Sequence, residues 1–214
     1  VYARAAVPRD VVVLAVNHAG HGDRAAVSGA GAWAIPGAEV PVNRALADAI
    51  RARVPFLTVD DRAHAGEHSL ELQLPFLHAR RPDLRIVPIS LSWLDWAECR
   101  TLGEAVAAAV GEVCGDDGLV VASTDLSHYL PQSVANIKDR RALECVLALD
   151  GAALLARCDE EDISMCGRVP TAATIAAARA RGAARAELVD YRTSGDVSGD
   201  FGAVVGYAGV LFLA

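Results

Sequence analysis

A chain of 214 residues, 53% apolar and 22% charged, is long enough to bury roughly 70% of its unfolded surface around one core, which excludes disorder. Its net charge of −7 excludes a binder of phosphate backbones, and its apolar runs fall well short of the ~20 residues of a membrane span, so neither nucleic acid nor membrane is an expected partner. Five cysteines without a C-x-x-C pair suit a reducing compartment, and a cytoplasmic location is expected.

In chain order, short β-rich runs alternate with helical patterns. Strands are predicted at 11–16, 55–59, 84–91, 118–123, 185–191 and 203–213, and helices at 43–53, 69–80, 95–113, 134–149, 151–157 and 170–181. Near-continuous apolar strands between helices predict a single α/β domain over 1–214, with a central, mixed and mostly parallel sheet flanked by helices. The connection "RTSGDVSGDFG" (192–202) holds no helix pattern, so the last two strands are expected to lie antiparallel. Asp196 and Asp200 within it fit no calcium-loop spacing and read as turn residues. The basic residues at 78–85 and 177–185 read as solvated helix ends.

"VVVLAVNHAGH" (11–21) and "GLVVASTDLSH" (118–128) each run a buried strand into a polar loop carrying histidine. Ligands in open α/β sheets bind at the carboxyl ends of the strands, so His18, Asp125 and His128 are expected on one rim. "HAGEH" (64–68) matches the letters of a zinc-peptidase helix, but Gly66 disfavours a helix there, so the match reads as a coincidence. The helix is expected to begin afterwards, with Ser69 as N-cap and a kink at Pro75. Glu67 and His68 either support the rim or close the helix start by hydrogen bonding. Cys166-Gly167 stands just ahead of a helix expected to start near Pro170, where the helix dipole would favour a thiolate. The other four cysteines read as inert packing. "GAGAWA" (29–34) lacks the strand and helix of a dinucleotide fingerprint, so no nucleotide cofactor is expected.

"HAGEHSLELQLPFL" (64–77), "VVASTDLSHYLP" (120–131) and "SMCGRVPTAATIAA" (164–177), in that order, closely resemble the Memo family, component B of the AmmeMemoRadiSam group. The resemblance implies the fold of class III extradiol ring-cleaving dioxygenases, of the LigB kind. It also implies a mononuclear non-haem metal site of two histidines and a cysteine. His18 stands where the family has a strand-end ligand, and Cys166 matches its "CG" ligand. His128, with Asp125 beside it, falls where the dioxygenases keep a general base; Glu67 and His68 would support these groups from behind. The family's remaining histidine ligand lies in an upstream "PHAGY" segment. That segment is missing from these residues, and "VYARAA" reads as the end of the helix that would follow it.

A thiolate with imidazoles favours iron, Fe(II), or copper, Cu(I), with zinc as a further candidate. The expected function is that of a redox protein acting on a small molecule with dioxygen. The alternative is a metal carrier, or a module that binds a peptide or protein in the same cleft. The family's usual companions, a radical-SAM protein and an AMMECR1-like protein, are the partners the resemblance implies.

Overall fold

The computed structural model describes residues 1–214. Ten strands form a five-stranded, a three-stranded and a two-stranded sheet. The first has the order β5-β2-β6-β1-β7, from β1 (Asp10–Val16), β2 (Ala25–Val27), β5 (Thr58–Val59), β6 (Arg85–Leu91) and β7 (Gly118–Ala122). Its pairs are parallel except β2 with β6, so the central sheet is mixed and mostly parallel as expected.

Every residue of β1 is buried because both faces of the sheet are covered. Alternation along the strand sends Val12 and Leu14 to one face and Val11, Val13 and Ala15 to the other. The first face packs on Leu46 and Ile50 of α1 (Arg44–Arg51), Leu102, Val106 and Val110 of α3 (Trp96–Cys114), and Ala173 and Ala177 of α6 (Arg168–Ala180). The second packs on Leu70, and on Leu74 and Leu77 of α2 (Leu74–Arg80).

A separate apolar cluster joins Leu126, α4 (Gln132–Leu147) and α5 (Gly151–Glu160) to the second sheet. That sheet has the order β8-β10-β9, from β8 (His128–Leu130), β9 (Arg185–Thr193) and β10 (Val204–Leu213), and β9 and β10 are antiparallel. They lie in this second sheet rather than on the edge of the central one. The turn between them holds a short helix, α7 (Gly195–Ser198), where Asp196 accepts from Thr193 N and Asp200 accepts from Gly202 N. Strands β3 (Ala32–Ile35) and β4 (Ala38–Pro41) form a hairpin.

Helix starts follow local chemistry. Asn43 caps α1, and Asp95 with Glu98 forms a capping box at α3. Three expectations need correction. Ser69 caps no helix, because its hydroxyl is taken by β1, accepting from Val16 N and donating to Val16 O. Pro75 causes no kink, since α2 starts at Leu74 and Pro75 occupies its first turn, where a missing N–H costs nothing. The predicted strand 55–59 shrinks to Thr58–Val59. No helix is long and apolar enough to cross a membrane.

Candidate functional site

Two clusters of potential ligand side chains sit at the carboxyl ends of β1 and β7: His18, Glu67 and His68, and Asp125, His128 and Cys166. Within each cluster the candidate ligand atoms lie within 4.8 Å of one another. The charges of His18 and His68 act on Asp125 of the second cluster, while His18 and Cys166 fall in different clusters.

His18 follows β1 by two positions and is locked by Glu67. The Glu67 carboxylate accepts from His18 N at 2.7 Å and faces the ring Nδ1 at 3.0 Å. It also accepts from His68 N and Ser69 N, both at 2.9 Å. Burial alone would raise the Glu67 pKa, but these hydrogen bonds and the nearby His18 charge outweigh it and lower the value to about 2. Glu67 is therefore an acceptor-only anion, so Nδ1 of His18 is the donor to it, and in the neutral ring this tautomer leaves the lone pair on Nε2. The His68 ring stacks on that of His18, centroids 5.1 Å apart.

Ser69 ties the two strand ends together. Besides its bonds to Val16, its carbonyl accepts from Ser123 Oγ at 2.6 Å, just past β7. Gln73 then donates to Ser123 Oγ, and Tyr2 to Gln73.

The second cluster hangs on the 123–128 loop. Cys166 Sγ accepts from Asp125 N at 3.2 Å, and Gly167 N donates to Thr124 Oγ1 at 3.0 Å. Any Cβ on Gly167 would lie 2.3 Å from Thr124 Cβ and 2.5 Å from Ser123 O, so only glycine permits this approach. His128 N donates to Ser164 Oγ, and its ring Nδ1 lies 2.8 Å from Ser164 O. A carbonyl only accepts, so Nδ1 carries the proton and Nε2, 3.9 Å from Asp125 Oδ2, is the basic nitrogen. Burial raises the Asp125 pKa against the pull of His128, His18 and His68.

The thiol departs from expectation. Helix α6 starts at Arg168, two residues after Cys166, yet burial outweighs local hydrogen bonding and raises the Cys166 pKa. Burial thus opposes the helix start beside it, because desolvation disfavours the charged sulfur. A half-buried thiol of this kind still fits a metal ligand, since coordination itself removes the proton.

"HAGEH" is not helical: Gly66 takes φ +75° and a 3-10 turn ends at His64. The His64 ring lies edge-on to Trp33, buried with neither nitrogen hydrogen-bonded, while His68 stacks on His18. The two histidines share no helix face, so the zinc-peptidase geometry is absent.

Sequence reasoning missed Asp139, a fully buried carboxylate in α4 that accepts from Ser127 N at 2.8 Å and Tyr191 OH at 2.8 Å. It thereby braces the loop carrying Asp125 and His128. Its signal was available: an acid standing in the apolar stripe of Ala135, Ala142, Leu143 and Val146. Ser164 and the double role of Ser69 left no such periodic mark.

Comparison with known proteins decides the family. The model of the Memo-like protein family matches residues 2–211. The chain belongs to the Memo family. A MEMO1 family protein of Methanopyrus kandleri is 42% identical over 213 residues, covering 99% of this chain and 75% of that protein. One from Methanothermobacter thermautotrophicus is 39% identical, covering 94% and 73%. One from Aquifex aeolicus is 36% identical, covering 100% and 79%. Among solved structures, an uncharacterized protein, JW3007, from Escherichia coli K12 shares the fold at a TM-score of 0.57 and 15% identity, covering 96% of this chain and 88% of that one. Within this Memo chain, the rim at the ends of β1 and β7 is the place where chemistry-bearing side chains gather.

Proposed function

We propose that this Memo protein holds one mononuclear, non-haem metal ion, iron or copper, through His18 and Cys166, and acts as a redox protein on a small molecule with dioxygen. The observation that carries the reading is the clamp of Glu67 on His18. A carboxylate fixing Nδ1 and leaving Nε2 open is how proteins orient a metal-binding imidazole and raise its basicity. The donor set fits in type: a half-buried thiol and an imidazole are soft and borderline ligands, suited to redox-active ions and also to zinc. A relationship to the LigB-like extradiol dioxygenases belongs to the same proposal.

Iron or copper bound there would supply electron transfer to substrate or dioxygen. This chain's residues would do the rest. Glu67 orients His18, and His68 shields its ring by stacking. Nε2 of His128, backed by Asp125, would take or return a proton at the bound substrate; a positioned acid-base group of this kind contributes roughly 10²–10⁴-fold.

The test is anaerobic titration of Fe(II), Cu(I) and Zn(II) into the protein and its Cys166→Ala and His18→Ala variants. One ion per chain, lost in both variants, is the expected result. Binding that survives both substitutions sinks the proposal. His128→Ala should keep the ion and lose metal-dependent dioxygen consumption. Unchanged consumption in that variant would remove the acid-base role of His128, and metal binding without any dioxygen consumption by the wild type would leave a metal carrier as the better description.

A further inference from the structure

Tyr129 stands in a backbone conformation that few tyrosines adopt. Its φ is +56°, in the left-handed region, where a bulky side chain is an outlier. The strand register gives the cause. Leu130 pairs with Val204 and His128 with Val205, so Tyr129 is the extra residue of a β-bulge. A bulge residue in this conformation is commonly glycine, which has no Cβ to clash. Packing does not offset the strain, because Tyr129 is 79% exposed. Its ring instead sits beside that of His128, centroids 6.0 Å apart and planes tilted by 57°. Strain held without burial is a mark of function, and bulges beside a site re-aim a side chain.

Two further groups lie next to that ring. Tyr207 of β10 is 43% exposed and shares a strand face with Val205, the partner of His128. Burial raises the Tyr207 pKa, and the nearby charges of Asp125 and Tyr129 add to the rise. The second group is the Asp125 carboxylate. The backbone N–H and C=O of Asp125 are bonded to Cys166 Sγ and Thr124 Oγ1, but neither carboxylate oxygen accepts a hydrogen bond. Its side chain is 46% exposed, and its one ion-pair partner is His128 Nε2 at 3.9 Å, beyond hydrogen-bond length.

We propose that Tyr129 is a specificity-determining residue of this rim, and that with Tyr207 and Asp125 it receives an organic ammonium group carried by a small-molecule substrate. This ammonium site rests on the reading of the rim as a substrate site and needs no metal. An aromatic face attracts a cation through its quadrupole, and a carboxylate adds charge and hydrogen-bond acceptors. A neutral group would leave Asp125 unmatched. An anion would meet both Asp125 and the ionised Glu67, whose pKa is about 2. The net charge of −7 also draws cations towards the chain. Docked at Asp125, the ammonium would hold the rest of the substrate next to Nε2 of His128.

The test titrates n-butylammonium, n-butanol and butyrate into the protein as purified, and again after chelation of metals. Backbone amide chemical shifts of Asp125, His128 and Tyr129 are the readout. Saturable shifts with n-butylammonium alone are the expected result. Tyr129→Leu keeps an apolar side chain but removes the aromatic face, and should weaken that binding about 2–5-fold, the range of an exposed cation–π contact. Tyr129→Gly should weaken it likewise while raising the folded-to-unfolded ratio about fivefold or more, because the strained φ is released. An equal response to n-butanol, a response to butyrate, or unchanged affinity in Tyr129→Leu would each overturn the proposal. So would a Tyr129→Gly variant no more stable than the wild type, since the position would then carry no strain. A lysine-containing tripeptide bound at least ~10-fold more tightly than n-butylammonium would make a peptide the ligand and overturn the small-molecule reading. Ammonium binding that survives chelation stands even if the metal titration fails, so the two failures are distinguishable.

Discussion

Glu67 holds His18 at two points, the backbone N–H at 2.7 Å and the ring Nδ1 at 3.0 Å. Replacing the carboxylate with an amide keeps an acceptor for the backbone but removes the charge behind the ring. Glu67→Gln is expected to weaken metal affinity about 10–100-fold without changing the stoichiometry, as for other carboxylates behind a ligand histidine. Competition against a chelator of known affinity measures it; an unchanged affinity would show that the clamp serves packing alone.

Asp139 is predicted to be structural in energy and positional in effect. Asp139→Ala strands the Ser127 N–H, while the Tyr191 hydroxyl keeps Asn136 Oδ1 as a partner, and an unpaired buried polar group costs ~1–3 kcal/mol. Denaturant midpoints should fall accordingly, with Tyr191→Phe losing less because it removes the hydroxyl along with its bond. Equal losses in the two variants would contradict this account.

Gly167 permits the approach of α6 to the 123–124 turn. Gly167→Ala places a methyl against Ser123 O and Thr124 Cβ, which are not free to move, and overpacking of this kind costs ~1–3 kcal/mol. Because Cys166 is the next residue, metal affinity should fall together with the melting temperature. A variant that melts normally and binds normally would mean that the turn yields.

Alkaline pH is expected to destabilise the fold through Cys99. Burial, aided by the negative charges of Asp95 and Glu98, pushes this thiol from its ordinary 9.0 to about 12. The folded state thus disfavours the thiolate. Its contribution to stability is full below pH 9.0 and is lost as the pH rises from there towards about 12. Urea midpoints between pH 8 and pH 11 should decline more steeply for the wild type than for Cys99→Ala. Parallel declines would assign the alkaline loss to other groups.

The alternation of apolar strands and amphipathic runs was enough to predict the α/β class, the mostly parallel sheet and the approximate span of six helices. The antiparallel member of that sheet is β2, not the last two strands on which the mixed expectation rested. Burial on both faces leaves a nearly continuous apolar strand such as "VVVLAV", and an amphipathic stripe marks each helix. The short strands β2, β3, β4 and β8 escaped because 3 or 4 residues carry too little period to register. The site residues were legible as types at strand ends, and three motifs pointed to the family.

What the sequence by itself determined, then, was which elements form and which chemistry-bearing residues lie at their ends, because those depend on local period and turn chemistry. The tertiary structure alone decided that Glu67 locks His18 across 49 positions, that Ser69 serves β1 instead of a helix, and that a bulge sets Tyr129 beside His128. It also set burial against the helix start at Cys166, because desolvation depends on every atom packed around the sulfur.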